Sequence, residues 1–315
     1  MKKLVLAITA MYALTACNLG YEKTASGFQY KLKKGKGGDA IKAGMFVKMD
    51  VEYRLDRNND SLLNSTYGKV PVFTMVDTSV NSRYSFMEIL PKAQVGDSGE
   101  FVMSIDSLKS KKMIPDYSGV FKKGGLIKGK FRILQAYKTE ADVTAAYQKE
   151  LDAVKQREIK DLENYLTSKG IKTQKTKSGA FVAITEPGDL TNRPDSTKQA
   201  LIMYAGKLRS NGKVFDTNLD NSKGHTDPLP VIVGQRRVIL GWEEALPFFG
   251  KGGKGTIYIP SSLAWGPQSP SPDIPPYSDV IFDVQIKDVT AIPATAAAPP
   301  PPPQIQGAPA EAPKK

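Results

Sequence analysis

The stretch Val238-Ile239-Leu240-Gly241-Trp242-Glu243-Glu244-Ala245-Leu246 decides the fold. An apolar, β-branched pair runs into Gly-Trp, and an acidic, helix-favouring turn follows. That order suits the floor of a small apolar pocket. The segments on either side have the composition of walls: Tyr204-Ala205-Gly206 upstream, Ile274-Pro275-Pro276 downstream, and Val280-Ile281-Phe282-Asp283-Val284 to close it.

Working outward, the periodicity is that of strands. Val280, Phe282, Val284 and Ile286 alternate with Asp283, Gln285 and Lys287, and Val47, Met49, Val51 and Tyr53 alternate with Lys48, Asp50, Glu52 and Arg54. A period of two marks a half-buried strand with one wet face. Glu100–Ile105 and Thr256–Ile259 are shorter strands in matching places. The match follows from an internal repeat. Ser26-Gly27 aligns with Ser178-Gly179, Tyr53 with Tyr204, Leu63-Asn64 with Phe215-Asp216, Phe86 with Trp242 and Phe131 with Phe282, at separations of 151 to 156 residues. Loop insertions produce a drift of that size. The spacing predicts an α+β chain: two antiparallel half-barrels, each wrapped on a short helix that follows Phe86 or Trp242.

Between the copies, Thr139–Gly170 reads as one long amphipathic helix. Thr139 and Asp142 form a capping-box pattern, and Gly170 suits the position after the last turn. Val143, Tyr147, Leu151, Val154, Leu162, Tyr165 and Leu166 recur at helical steps. A single polar residue, Glu158, interrupts the stripe and speaks against a coiled coil. A spacer, a dimer seam and a helix packed on a domain are all open to it.

The residues from about Leu201 to Val289 resemble the FKBP-type peptidyl-prolyl cis/trans isomerase domain. The resemblance implies a proline pocket, carried over position by position. Tyr204 forms one wall, and Phe215 and Asp216 give a second wall and a buried carboxylate near Tyr204. Trp242 is the floor, Phe282 and Ile274 close the far side, and Val238 and Ile239 line the pocket, with the Ile239 N–H offered to a substrate carbonyl. Trp265, in Ala264-Trp265-Gly266, stands where the family usually has Tyr, so an indole N–H replaces a hydroxyl donor. Leu229 stands where a Phe is usual. The Pro- and Ser-rich loop Pro267–Ile274 lacks the His often found there.

That set meets the chemistry's demands. Twisting a peptide bond means losing amide resonance, a barrier of about 18–20 kcal/mol. The twisted amide has less charge separation than the planar one. A dry apolar pocket therefore favours it by withdrawing the water that stabilises the resonance dipole. No nucleophile, metal or cofactor is required, and none is expected. The implied partners are proline-containing segments of unfolded proteins, with an FKBP-directed macrolide as a further ligand.

The first copy reads as degenerate. Tyr53 is retained, but Leu63-Asn64 replaces Phe-Asp, Phe86 replaces the Trp, and Lys109-Ser110-Lys111 stands in the flap, with Ile114-Pro115 a faint remnant. A lysine-rich flap does not keep a pocket dry, so a binding or scaffolding role is expected there. Gly250-Lys251-Gly252-Gly253-Lys254-Gly255-Thr256 lacks the Lys of a phosphate loop and enters a strand. His225 is the only histidine, so neither a Ser-His-Asp relay nor a His-based metal site is expected, and it is expected to be solvated in its loop.

At the N-terminus, Met1-Lys2-Lys3 and the apolar Leu4–Leu14 form a signal too short to span a bilayer. Leu14-Thr15-Ala16-Cys17 resembles the lipobox of bacterial lipoproteins. It implies acylation of Cys17, the only cysteine, and a lipid-anchored protein of the bacterial cell envelope, at the outer membrane. The expected organisation is signal peptide 1–16, tether 17–23, degenerate domain 24–138, linker helix 139–170, isomerase domain 171–290 and a Pro/Ala-rich disordered tail 291–315. The net charge is +12, from 44 Lys+Arg against 32 Asp+Glu. The lysines are scattered without interleaved aromatics, so no nucleic-acid partner is expected. Two functions compete: an isomerase of unfolded or exported envelope proteins, and a non-catalytic peptide-binding or chaperone-like module.

Overall fold

The computed structural model describes residues 20–56 and 61–292. The signal peptide, Cys17 and the Pro299–Pro303 run lie outside the described residues. Among those described, no helix is long and apolar enough to cross a membrane. The chain divides into two compact units between Asp152 and Ala153.

In the first unit, β1 (Glu22–Lys23), β2 (Gln29–Lys33), β3 (Phe46–Asp56), β4 (Ser61–Ser65), β5 (Val72–Met75), β6 (Ser98–Ser104) and β7 (Leu126–Tyr137) form one antiparallel sheet. Its order is β1-β2-β6-β7-β3-β4, with β5 paired to β3. Val47, Met49 and Val51 of β3 are buried, as their alternation requires. A short helix, α1 (Ile105–Ser110), follows β6. After Phe86 the chain makes two 3-10 turns, Phe86–Glu88 and Leu90–Lys92, and no α-helix. Tyr84 just before them is left-handed at φ 60°, so a helix cannot begin earlier.

The second unit contains β8 (Gln174–Lys175), β9 (Phe181–Glu186), β10 (Lys198–Leu208), β11 (Val214–Thr217), β12 (Leu229–Val231), β13 (Lys254–Ile259) and β14 (Val280–Ala291). The sheet order is β8-β9-β13-β14-β10-β11, with β12 on β10. This is the first sheet strand for strand. The repeat extends to single hydrogen bonds. Thr24 N–H donates to the Phe28 carbonyl and Thr176 N–H to that of Ala180, each at 2.9 Å. The Ser26 hydroxyl donates to Glu88, and the Ser178 hydroxyl to Glu244.

The strand register corrects the alignment on Tyr53. Both sheets carry an irregularity where the central strands meet: between Lys48 and Met49 on β3, and between Leu201 and Ile202 on β10. Aligned there, Val51 occupies the place of Tyr204, and Tyr53 that of Gly206. Side-chain caps give the same answer: Thr66 brackets Val51 as Asn218 brackets Tyr204. Gly129, opposite Tyr53, stands where Phe282 stands opposite Gly206, and Phe131 matches Val284. The pairing of Tyr53 with Tyr204 and of Phe131 with Phe282 is therefore out by two residues.

A long helix, α2 (Glu140–Ser168), spans the boundary. At 1.5 Å per residue it is about 43 Å long. Thr139 caps it, accepting from the Asp142 N–H at 3.1 Å. Gly170, at φ 66°, ends it: its N–H reaches the Thr167 carbonyl, and that of Ile171 the Leu166 carbonyl. The early turns pack on the first unit, where Tyr147 meets the Phe73 ring edge-on at 5.4 Å. Ile159, Leu162 and Leu166 cover Phe181, Tyr258 and Ile281 of the second sheet. The sheet face expected to be wet is thus partly dry. Glu158, the interruption in the stripe, is an anchor. Its carboxylate accepts from the Ser261 hydroxyl at 2.6 Å and the Ser262 N–H at 2.8 Å.

Candidate functional site

The second unit's core gathers on the concave face of its sheet around one short helix, α3 (Leu240–Ala245). Each buried Leu, Ile, Val or Phe there contributes about 1.5–3 kcal/mol relative to exposure. Beside that core lies a cavity of about 800 Å³. All ten residues singled out from the second copy line it: Tyr204, Phe215, Asp216, Leu229, Val238, Ile239, Trp242, Trp265, Ile274 and Phe282.

The local structure explains their convergence. Tyr204 and Gly206 lie on the inner face of β10. Gly206 faces Asp216 across the ladder, while Lys207 faces Val214, so Phe215 is an extra, bulged residue. A bulge re-aims side chains, and here both Phe215 and Asp216 reach the cavity. Ile239 is the residue preceding α3 and is extended at ψ 150°. Its carbonyl takes the Trp242 N–H at 2.9 Å, which seats the indole in the first turn. The Ile239 N–H itself has no partner among the described residues.

The rings form an edge-to-face box. Trp242 stands 5.4 Å from Tyr204 and 5.1 Å from Phe282, and Phe215 stands 5.6 Å from Phe282 and 5.9 Å from Trp265. Offset and perpendicular pairs are the arrangements that ring quadrupoles favour. The box rests on backbone, because a Cβ on Gly206 would lie 2.6 Å from the Phe282 ring and 2.7 Å from that of Phe215.

One polar line crosses the cavity. The Tyr204 hydroxyl donates to Asp216 Oδ2 at 2.5 Å, and His225 Nε2 lies 2.9 Å from Asp216 Oδ1. Burial pushes the Tyr204 hydroxyl well up, and its bond to Asp216 adds to the rise. For Asp216, burial works against the charged form, but the bonds from Tyr204 and His225 outweigh it and its pKa is lowered. One expectation is corrected: the Asp216 side chain is 39% exposed, not buried. His225 is exposed in a loop, as expected, and in addition bonds the carboxylate. Asn218, fully buried, holds the line together. It accepts from the Tyr204 N–H and donates to the carbonyls of Ile202 and Asp227, tying the His225 loop to β10.

Sequence reasoning missed His225, Asn218 and the cavity residues Arg236, Arg237, Ala264, Pro270 and Ser271. The phosphate-loop look-alike is a turn: the Gly250 N–H bonds the Pro187 carbonyl, and β13 begins at Lys254. Among the described residues no cluster of His, Cys, Asp or Glu could hold a metal ion.

In the first unit the equivalent space is filled. Phe28 and Phe101 occupy the places of Ala180 and Ile257, their rings 5.5 Å apart. Phe101 also lies 5.4 Å from Tyr53 and 6.5 Å from Phe86. Its ring overlies Gly129, where a Cβ would come within 2.0 Å. Burial pushes the Tyr53 hydroxyl up to about 12, and Asn64 is exposed on β4.

The family model described as FKBP-type peptidyl-prolyl cis-trans isomerase matches residues 191–287. FK506-binding protein 1 of Kluyveromyces lactis is 36% identical over 100 residues, 32% of this chain and 83% of that protein. The isomerase FkpA of Escherichia coli (strain K12) is 34% identical over 168 residues, 52% of this chain and 57% of its own length. FkpA of Buchnera aphidicola is 35% identical over 128 residues, 41% of this chain and 48% of its own. The chain thus spans about half the length of the bacterial relatives it matches.

Proposed function

Because the chain belongs to the FKBP-type peptidyl-prolyl cis-trans isomerase family, we propose that its second unit isomerises X–Pro bonds of unfolded or exported proteins. The observation that carries this is the Tyr204–Asp216 bond set against a connected box of aromatic rings at the wall of an open cavity. The proline ring lies on Trp242, between Tyr204 and Phe282. The Tyr204 proton is committed to Asp216, so the donors left for substrate carbonyls are the Ile239 N–H and the Trp265 indole N–H. The aromatic walls withhold water from the amide, which lowers the free energy of the twisted form relative to the planar one. Leu229, Val238 and Ile274 complete the apolar surround.

The first unit, lacking the Tyr–Asp pair and with Phe101 in the space, serves as a binding or scaffolding domain. Acylation at Cys17 holds the protein at a bacterial envelope membrane. FK506, which the yeast relative's name records, is a natural probe of the cavity. The test is cis/trans exchange of a Leu-Pro tetrapeptide, followed by NMR with the full chain. Acceleration that falls at least tenfold, about 1.4 kcal/mol of barrier, in Asp216→Ala is expected. A folded protein that binds the peptide without accelerating exchange would replace the isomerase with a peptide-binding module.

A further inference from the structure

Two cations line the cavity, and a proline ring calls for neither. Arg236 and Arg237 are exposed on the segment that leads into Val238 and Ile239. The one carboxylate in the lining, Asp216, has an oxygen engaged by Tyr204 and the other by His225. Arg236 has no ion-pair or hydrogen-bond partner among the described residues, whereas Arg237 is already engaged, so Arg236 is the cation left to meet a substrate. The remaining lining is apolar or uncharged.

The segment is held, not loose. The Gly234 N–H donates to the carboxylate of Glu243, which is buried in the first turn of α3. Gln235 N–H closes back on the Ile232 carbonyl. Arg236 then turns left-handed at φ 54°, a conformation that L-residues take at a cost. The turn sets Arg236 and Arg237 immediately before the backbone N–H that is free to hold a substrate carbonyl.

We propose that Arg236 and Arg237 make the cavity selective for peptides with an Asp or Glu side chain directly beside the proline. This rests on the assignment of the cavity as a proline site. A guanidinium offers a planar fork of donors that a carboxylate matches in two places. A lysine in the same substrate position meets like charge, so the discrimination has an attractive and a repulsive part. The chain's excess of 12 positive charges adds a weaker, longer-ranged pull of the same sign.

The experiment uses the full chain and two peptide series. One varies the residue before proline, the other the residue after it, through Glu, Gln, Lys and a neutral apolar residue. NMR exchange gives kcat/KM, and Trp fluorescence gives Kd. In one series Glu exceeds Lys by about tenfold at low salt, as exposed charge pairs of this kind allow, with Gln between. The ratio collapses toward one in about 1 M salt, where the Debye length is about 3 Å. Arg236→Glu with Arg237→Glu inverts the order, and circular dichroism checks that this variant is folded. Equal constants for Glu and Lys in both series, or a preference that survives in the double variant, overturns the proposal. If no peptide is turned over, the Kd series still decides it, and the failure then falls on the isomerase reading alone.

Discussion

Gly206→Ala probes the cavity with one methyl group. Gly206 lies in β10 and is not among the residues with positive φ, so alanine meets no backbone strain. By strand energetics alone the change should gain about 0.5–1 kcal/mol, since glycine loses more freedom on folding. The packing opposes it. The new Cβ would lie 2.6 Å from the Phe282 ring and 2.7 Å from that of Phe215, where ordinary contact begins at 3.4 Å, so each ring must retreat by about 0.7–0.8 Å. The open direction for each is into the cavity, where it would intrude on the site. Phe282 is flanked by Trp242 and Tyr204, and Phe215 by Trp265. Overpacking of this kind costs about 1–3 kcal/mol, which leaves a net loss of up to about 2.5 kcal/mol once the gain is subtracted. For a unit of this size that lowers Tm by about 2–4 °C per kcal/mol. Turnover suffers more, because a displacement near 1 Å in positioned groups costs about 10²-fold. Thermal unfolding followed by circular dichroism and NMR exchange of the Leu-Pro peptide read the two effects. Phe282→Leu added to Gly206→Ala should recover stability without turnover. A single variant as stable as the parent, with turnover within twofold, would refute the idea that the cavity is built against this backbone.

Three further outcomes are expected. The lowered pKa of Asp216 stabilises the fold above the ordinary carboxylate range. That stabilisation is lost as pH falls through the lowered value, so the parent's advantage over Asp216→Asn in denaturant melts should fade in acid. Partial exposure limits it to under about 1 kcal/mol, and an advantage that grows on acidification would reverse the sign. Glu158→Ala strips two hydrogen bonds to the Ser261–Ser262 turn and should cost about 1–3 kcal/mol; melts unchanged within 0.5 kcal/mol (about a tenth of the stability of a marginal domain) would mean that α2 is held by its apolar face alone. Asn64→Asp should create no second active site, because Val51 stands at the tyrosine position and Phe101 fills the space. Turnover by this variant in an Asp216→Ala background would contradict that account.

The cavity was legible because its chemistry demands residue types that are rare together: an indole after glycine, a carboxylate beside a phenylalanine, a tyrosine in an alternating strand. The ten side chains stand around one space, as the family resemblance implied. What misled was register. Tyr53 looks like Tyr204 at an offset of 151, but strand irregularities decide which face and rung a residue occupies, and no residue type announces them. The bonds of His225 and Asn218 were not legible for another reason: they meet Asp216 and Tyr204 across a loop whose path is fixed only in three dimensions. Glu158 looked like a flaw in the helix pattern because its partners lie some hundred residues further along the chain. Arg236 carried no signal beyond its charge until the turn placed it on the cavity.

The exchange of glycine and aromatic across the central ladder also bears on ancestry. One unit pairs Gly206 with Phe282, and the other pairs Tyr53 with Gly129. Each pair holds one ring and one bare backbone. Passing from one arrangement to the other by single replacements means traversing either two rings in one space or none. In the second unit the bare backbone is covered by Phe282 and Phe215, and in the first by Phe101, so a side chain added at either glycine collides unless those rings change too. The two states are neighbours in composition but separated by an epistatic ridge. Building the second unit's arrangement into the first therefore takes concerted replacement at Tyr53, Gly129 and Phe101, not one change at a time.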